Sequence, residues 1–203
     1  MSRSRATPVL TGARVQLRPL EERDLAAIER WDDDEEVVAA MGKKFQGDGA
    51  CTSWFAALQG GSRRRAYAIE NERGELIGEL EVDNLCPKDG SAELTICIGE
   101  RAQRGQGYGT EAISLIRDYL FARTRLKRIY LRVYRSNVRA IRCYEKCGFV
   151  KRAVLPLSAR QVGRREAVVL MEVTRPDLKA GTLDWRQLPY GQRMRSGSDR
   201  TAK

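Results

Sequence analysis

The sequence predicts a mixed α+β fold: a mostly antiparallel sheet of about seven strands, flanked by helices. Three observations predict it. Seven short stretches read as strands, most of them alternating apolar and polar residues with the period-two rhythm of half-buried strands and the last, 165–173, nearly continuous in apolar residues. Apolar residues recur at helical spacing in the segments between several of them. And residues 91–149 read as strand, glycine loop, helix, strand, helix, which makes strands 92–98 and 128–134 a parallel crossover pair.

Taken in order, residues 1–12, with Pro8 and Gly12, are expected to form a flexible arm. Residues 15–20 make a first strand, ended by Pro19. Glu21, Glu22 and Asp24 then open a helix with acids on its first turn, where they suit the helix dipole. Leu25, Ile28 and Trp31 give it an apolar face. Residues 32–36 break that pattern and start a second short helix through 37–40. A third helical stretch, 53–58, carries Trp54, Phe55 and Leu58. Strands 66–70 and 75–83 are joined by Asn71-Glu72-Arg73-Gly74, a hairpin turn with glycine at its end. Pro87, Asp89 and Gly90 make the next turn, before the central strand. Beyond the glycine loop, Ala112, Ile113, Ile116, Tyr119 and Leu120 form one helical stripe, and Ile129, Leu131 and Val133 point inward from the following strand. Ser136 is the expected cap of the last helix and Gly148 its end. Strands 149–155 and 165–173 close the sheet. The domain therefore spans 13–175, and 176–203 is expected to be a basic, disordered tail: residues 186–203 hold five positive charges against Asp199.

The chemistry is concentrated in Arg104-Gly105-Gln106-Gly107-Tyr108-Gly109-Thr110. Glycine at every second position lets backbone N–H groups converge without Cβ clashes, and the helix that follows adds its positive dipole end. Such a loop is a ready anion site. Its spacing is neither G-x-G-x-x-G nor a loop followed by Gly-Lys-Ser/Thr. A second motif lies downstream, from Ser136 to Phe149.

Together the two motifs resemble the acetyl-CoA site of the GNAT superfamily of N-acetyltransferases. Arg104, Gly107 and Gly109 match its Arg/Gln-x-x-Gly-x-Gly/Ala loop. Asn137, Ala140, Tyr144, Lys146, Gly148 and Phe149 match its Asn-x-x-Ala-x-x-x-Tyr-x-Lys-x-Gly-Phe helix. More loosely the resemblance runs from about Val15 to Val173, nearest the branch of Rim-type ribosomal-protein and spermidine acetyltransferases. It implies that the parallel strands splay apart and the pantetheine arm of acetyl-CoA threads the gap. The loop Arg104–Thr110 would face the pyrophosphate, with Arg104 adding charge. Backbone groups of Ile96, Cys97 and Ile98 would meet the pantetheine amides, and Asn137 and Lys146 the rest of the cofactor. Tyr144 is implied as the acid that protonates the departing sulfur. For the base, Glu93 on the central strand comes first and Glu81 second, with Glu79 a rival and a water chain needing no single base. Cys97 as a nucleophile is the weaker reading beside a buried, inert thiol.

Composition bounds the rest. The chain has no histidine, which excludes Ser-His-Asp and Cys-His catalysis. Five scattered cysteines without C-x-x-C spacing fit reduced thiols in a cytoplasmic protein, and no metal site is expected. No apolar run is long enough for a membrane span. The net charge of +10 admits a second reading, a non-catalytic RNA- or ribosome-associated module, but the aromatic-interleaved RNA signatures are missing. Nine acids between Glu21 and Glu36 lie where the family's acceptor wall forms, so a cationic acceptor is expected: a polyamine, an aminoglycoside or a protein N-terminus. A homodimer is compatible with the branch, and nothing in the residues decides it.

Overall fold

Eight strands and five α-helices are laid out in the computed structural model, which describes residues 7–42, 44–59, 63–86, 89–155 and 166–176. In chain order they are β1 (Leu10–Thr11), β2 (Gln16–Pro19), α1 (Leu25–Asp32), α2 (Glu35–Met41), α3 (Ala50–Gln59), β3 (Arg65–Glu70), β4 (Leu76–Cys86), β5 (Ser91–Ile98), α4 (Tyr108–Arg123), β6 (Arg128–Tyr134), α5 (Val138–Lys146), β7 (Val150–Leu155) and β8 (Val168–Thr174). One sheet holds all eight strands in the order β1-β2-β3-β4-β5-β6-β8-β7. Every pairing is antiparallel except β5 with β6.

The 71–74 turn forms as its residues dictate. Gly74 sits at φ 73° and its N–H donates to the Asn71 carbonyl at 2.9 Å. The Asn71 side chain accepts from the amides of Arg73 and Glu75, replacing backbone partners that a tight turn cannot offer.

Both faces of the sheet are covered. On one, Ala112, Ile113, Ile116 and Leu120 of α4 are fully buried against Leu17, Tyr67, Leu80, Ile129 and Leu131. Each such Ile or Leu contributes ~1.5–3 kcal/mol, which outweighs the ~1 kcal/mol that Gly109 costs in the first turn of the same helix. On the other, Leu25, Ile28 and Trp31 of α1 pack with Phe45, Cys51, Ala66 and Ala68.

The parallel pair is short. β5 and β6 are in register only at Ser91–Arg128, Ala92–Ile129 and Glu93–Tyr130, although both strands continue. β6 stays paired with β8 as far as Tyr134, and β5 with β4 as far as Ile98. The two therefore part after Glu93, leaving one edge of each without a strand neighbour.

Three details differ from the sequence reading. The sheet has eight strands rather than about seven, because Leu10–Thr11, inside the expected arm, pair with Leu17 and Gln16. Gly12 makes this turn: its N–H reaches the Val15 carbonyl at 2.8 Å, and a Cβ there would stand 2.6 Å from the Glu111 carboxylate. The cap of α5 is Asn137, not Ser136; Asn137 Oδ1 accepts from the Ala140 amide at 3.1 Å. And α3 begins at Ala50, earlier than expected. Gly148, at φ 85°, does end α5. Residues 1–6 of the arm, and 177–203 of the tail, lie outside the described residues.

Candidate active site

The glycine loop lies between the end of β5 and α4. Gly105 and Gly107 take φ of 79° and 95°, a region closed to most side chains. Gly107 is the residue before α4, and no side chain caps that helix. The first amides of an α-helix have no intrahelical acceptor, so those of Tyr108, Gly109 and Thr110 are available to a ligand. A Cβ on Gly105 would meet nothing within 4 Å, so the loop's open side faces space. These features fit the pyrophosphate of acetyl-CoA.

A cavity of about 650 Å³ begins at this loop and continues into the gap between β5 and β6. Residues Glu93 to Ile98 line one side, Arg132 to Tyr134 the other, and α5 contributes Asn137, Tyr144 and Lys146. The Ile98 carbonyl turns away from β4 and accepts from Arg104 Nε at 2.9 Å. Strand alternation then turns the backbone N–H and C=O of Ile96 toward the gap as well. The Asn137 carbonyl oxygen is used as a cap, which leaves its NH₂ to donate.

Of the residues expected at the cofactor, Ile96, Cys97, Ile98, Arg104, Gly105, Gly107, Gly109, Thr110, Asn137 and Lys146 line the cavity. The side chains of Gln106 and Tyr108 do not. Gln106 donates to the Ala102 carbonyl; Tyr108 is buried, donates to Glu72 at 3.0 Å and lies under the Arg14 guanidinium. Arg104 is placed differently from the expectation of a phosphate contact. Its guanidinium donates to the carbonyls of Ile98 and Gly99 and pairs with Asp34 and Glu36 at 3.2 and 2.7 Å. It ties α2 to the end of β5, and its charge is already balanced.

Tyr144 lies on the inner face of α5, its ring 6.1 Å from that of Phe149. It borders the cavity, and no side-chain hydrogen bond acts on its hydroxyl among the described residues. Burial, reinforced by the nearby thiols of Cys143 and Cys97, holds the phenol well above its ordinary pKa. It is therefore a neutral donor at any working pH. Burial also pushes the Cys97 thiol up to about 12, which keeps it protonated near neutrality.

The carboxylates divide. Glu93 lines the cavity and accepts from Arg132 Nε at 2.6 Å and Asn84 Nδ2 at 2.9 Å. Glu81 and Glu79 share the ammonium of Lys44, at 2.7 and 2.8 Å, and neither lines the cavity. The acidic stretch 21–36 is largely engaged within the fold. Asp24 pairs with Arg18, Asp32 accepts from the amides of Lys44 and Phe45, and Asp34 caps α2. Among its nine acids, Glu36 alone lines the cavity.

Sequence reasoning missed a second group at the cavity: Val37, Ala40 and Met41 of α2, and Arg139, Arg142 and Cys143 of α5. The arginines had a signal. Arg139, Arg142 and Lys146 stand at i, i+3 and i+7, one basic helical stripe beside an anion loop. The α2 residues had none, because only the tertiary fold brings that helix across the gap.

Residues 14–150 match the model of the acetyltransferase (GNAT) domain. The chain belongs to that family, and its class of activity is acetyl-CoA:amine N-acetyltransfer. It is 36% identical over 87 residues to the spermidine N(1)-acetyltransferase of Vibrio cholerae serotype O1, a match covering 43% of this chain and 50% of that protein. Against the spermidine N(1)-acetyltransferase of Escherichia coli K12 it is 29% identical over 136 residues, 66% of this chain and 72% of that one. Among solved structures, spermidine N-acetyltransferase from Vibrio cholerae, in complex with CoA and spermine, superposes with a TM-score of 0.73 at 26% identity. That superposition covers 80% of this chain and 96% of the other.

Proposed function

We propose that the chain acetylates a cationic primary amine of the polyamine class, by direct attack of the amine on acetyl-CoA in a ternary complex. The observation that carries this reading is the single cavity running from the glycine loop, through the gap between β5 and β6, to Tyr144 and Glu93. Donor and acceptor can then meet in one space, without a covalent enzyme intermediate. The acyl-CoA supplies an activated thioester. The amides of residues 108–110, and the NH₂ of Asn137, bind its phosphates and arm. The backbone of Ile96 pairs with the pantetheine amides. Arg139, Arg142 and Lys146 supply positive charge at the mouth.

Tyr144 donates to the leaving sulfur. An ordinary phenol is less acidic than an ordinary thiol by about 1.5 pK units, and burial widens that difference. The hydroxyl therefore acts first as a hydrogen-bond donor to developing negative charge, and gives its proton as the thiol forms. Glu93 takes the amine's proton, directly or through water, because it lines the cavity and Glu81 does not. Polyamine chemistry is supported by the activities of the relatives, which are spermidine acetyltransferases.

The test is a thiol-release assay with acetyl-CoA across polyamines, aminoglycosides and amino-terminal peptides. Spermidine or spermine is expected to give the highest kcat/KM by at least tenfold. Faster turnover of a peptide or aminoglycoside would replace the acceptor, and a burst of thiol without acceptor would refute direct attack.

A further inference from the structure

Beside the cavity, one primary ammonium is already held. Lys44 lies between α2 and α3, and its backbone is pinned by Asp32, which accepts from the Lys44 amide at 2.7 Å. Its Nζ donates to both oxygens of Glu79, at 2.8 and 3.0 Å, and reaches Glu81 at 2.7 Å. The same nitrogen stands 3.8 Å from the centre of the Trp54 ring. Two carboxylates and an aromatic face on one nitrogen make a complete alkylammonium site.

The place of this site matters. Glu79 and Glu81 stand opposite Cys97 and Thr95 in the antiparallel register of β4 and β5. Directly opposed side chains are ~5 Å apart at Cβ, and both Cys97 and Thr95 line the cavity. The Cys97 thiol lies within the electrostatic reach of Glu79 and Lys44, and Tyr144 within that of Cys97. The held ammonium is thus one strand away from the groups assigned to the chemistry. A structural ion pair needs one carboxylate; here two are spent on one lysine, with Trp54 over it.

We propose that Lys44 is an intramolecular competitor for the acceptor: its ammonium fills a cation subsite, made by Glu79, Glu81 and Trp54, that a cationic group of the acceptor takes when Lys44 leaves. The inference rests on the cationic-amine reading above. It makes Lys44 a specificity-determining residue, because only an acceptor able to replace an ammonium between two carboxylates gains entry. Apparent affinity is lowered by the fraction of molecules in which the subsite is open, so removing Lys44 should tighten acceptor binding and leave the chemical step alone.

Two measurements on the full chain test this. In Lys44→Ala, KM for spermidine is expected to fall about tenfold with kcat within twofold, and n-butylamine, an alkylammonium with the length of a whole lysine side chain, should raise Tm for the variant and not for the wild type. An unchanged or higher KM, or no Tm response to n-butylamine, would overturn the proposal. Should the alanine variant not fold, Lys44→Met keeps the stem and carries the same KM expectation. The second measurement uses wild type. The ring current of Trp54 marks the Lys44 ε-methylene in a carbon-labelled lysine spectrum, and saturating spermidine in the presence of CoA should move that resonance to the position of a free lysine. A resonance that stays would refute displacement. The n-butylamine response does not depend on turnover. If wild type acetylates no amine yet the variant binds n-butylamine, the acceptor reading fails and the subsite stands.

Discussion

Replacing Tyr144 by phenylalanine removes one oxygen and isolates the donor role. No side-chain hydrogen bond acts on the hydroxyl among the described residues, and Tyr144 borders the cavity. Loss of the hydroxyl therefore breaks no side-chain hydrogen bond in the resting fold, and the ring keeps its contact with Phe149. Stability should hold within about 0.5 kcal/mol, the range of substitutions that disturb neither packing nor a buried network. The donor's contribution to the reaction is much larger. A positioned acid contributes about 10²–10⁴ in rate, which is roughly 3–5 kcal/mol of barrier. In a thiol-release assay kcat should fall by that factor, while acetyl-CoA affinity, measured by calorimetry, stays within about threefold. Because burial raises the phenol's pKa, the wild-type pH profile should show no loss of activity from tyrosine ionisation up to at least its ordinary value, about 10. Two results would refute the reasoning: full turnover in the variant at every pH, or a drop in Tm corresponding to more than ~2 kcal/mol, which would mean the hydroxyl is a structural partner.

Two further expectations concern the cofactor end. Gly107 sits at φ 95°, and alanine in a left-handed conformation costs ~1–2 kcal/mol. Gly107→Ala should lower Tm by several degrees and weaken acetyl-CoA binding at least tenfold, since its Cβ meets only Arg14, at 3.9 Å, and the loss is in loop geometry; normal binding by calorimetry would contradict the loop assignment. Cys143 lines the cavity, and the Cys147 thiol, with the Thr110 hydroxyl and Lys146, holds it below the ordinary thiol pKa. Its alkylation by iodoacetamide should therefore reach half-maximal rate below about pH 8.5, and acetyl-CoA should protect it. Mass spectrometry showing faster labelling of Cys86, or no protection, would count against that placement.

Much of the fold was legible because it rests on local patterns. Period-two alternation and, for β8, a continuous apolar run gave seven of the eight strands within the described residues, and Asn71 and Gly74 named their turn. Leu10–Thr11 escaped because two residues carry no periodicity; Gly12 and its packing against Glu111 make that strand. Asn137 displaced Ser136 as cap, since both residue types cap well and the choice depends on where the chain leaves β6.

The candidate site shows the same division. Backbone chemistry was readable: glycines in a left-handed region ahead of an uncapped helix make an anion cradle wherever the loop is placed. Side-chain partners were not. Arg104 reads as an unengaged cation beside the loop, whereas Asp34 and Glu36, about 70 positions earlier, lie on its guanidinium. The acids of 21–36 read as one face for a cation, yet Asp24, Asp32, Asp34 and Glu36 are consumed by caps, amides and arginines from other elements.

By itself, then, the sequence determined the strand and helix alternation, the glycine loop and the class of chemistry, because each depends on conformations set within a few residues. Only the tertiary structure decided which charges remain for a substrate: it opened β5 from β6 after Glu93, brought α2 across the gap, and seated Lys44 between Glu79 and Glu81. The physical reason is that a charge's availability depends on its neighbours in space, and those neighbours come from distant parts of the chain.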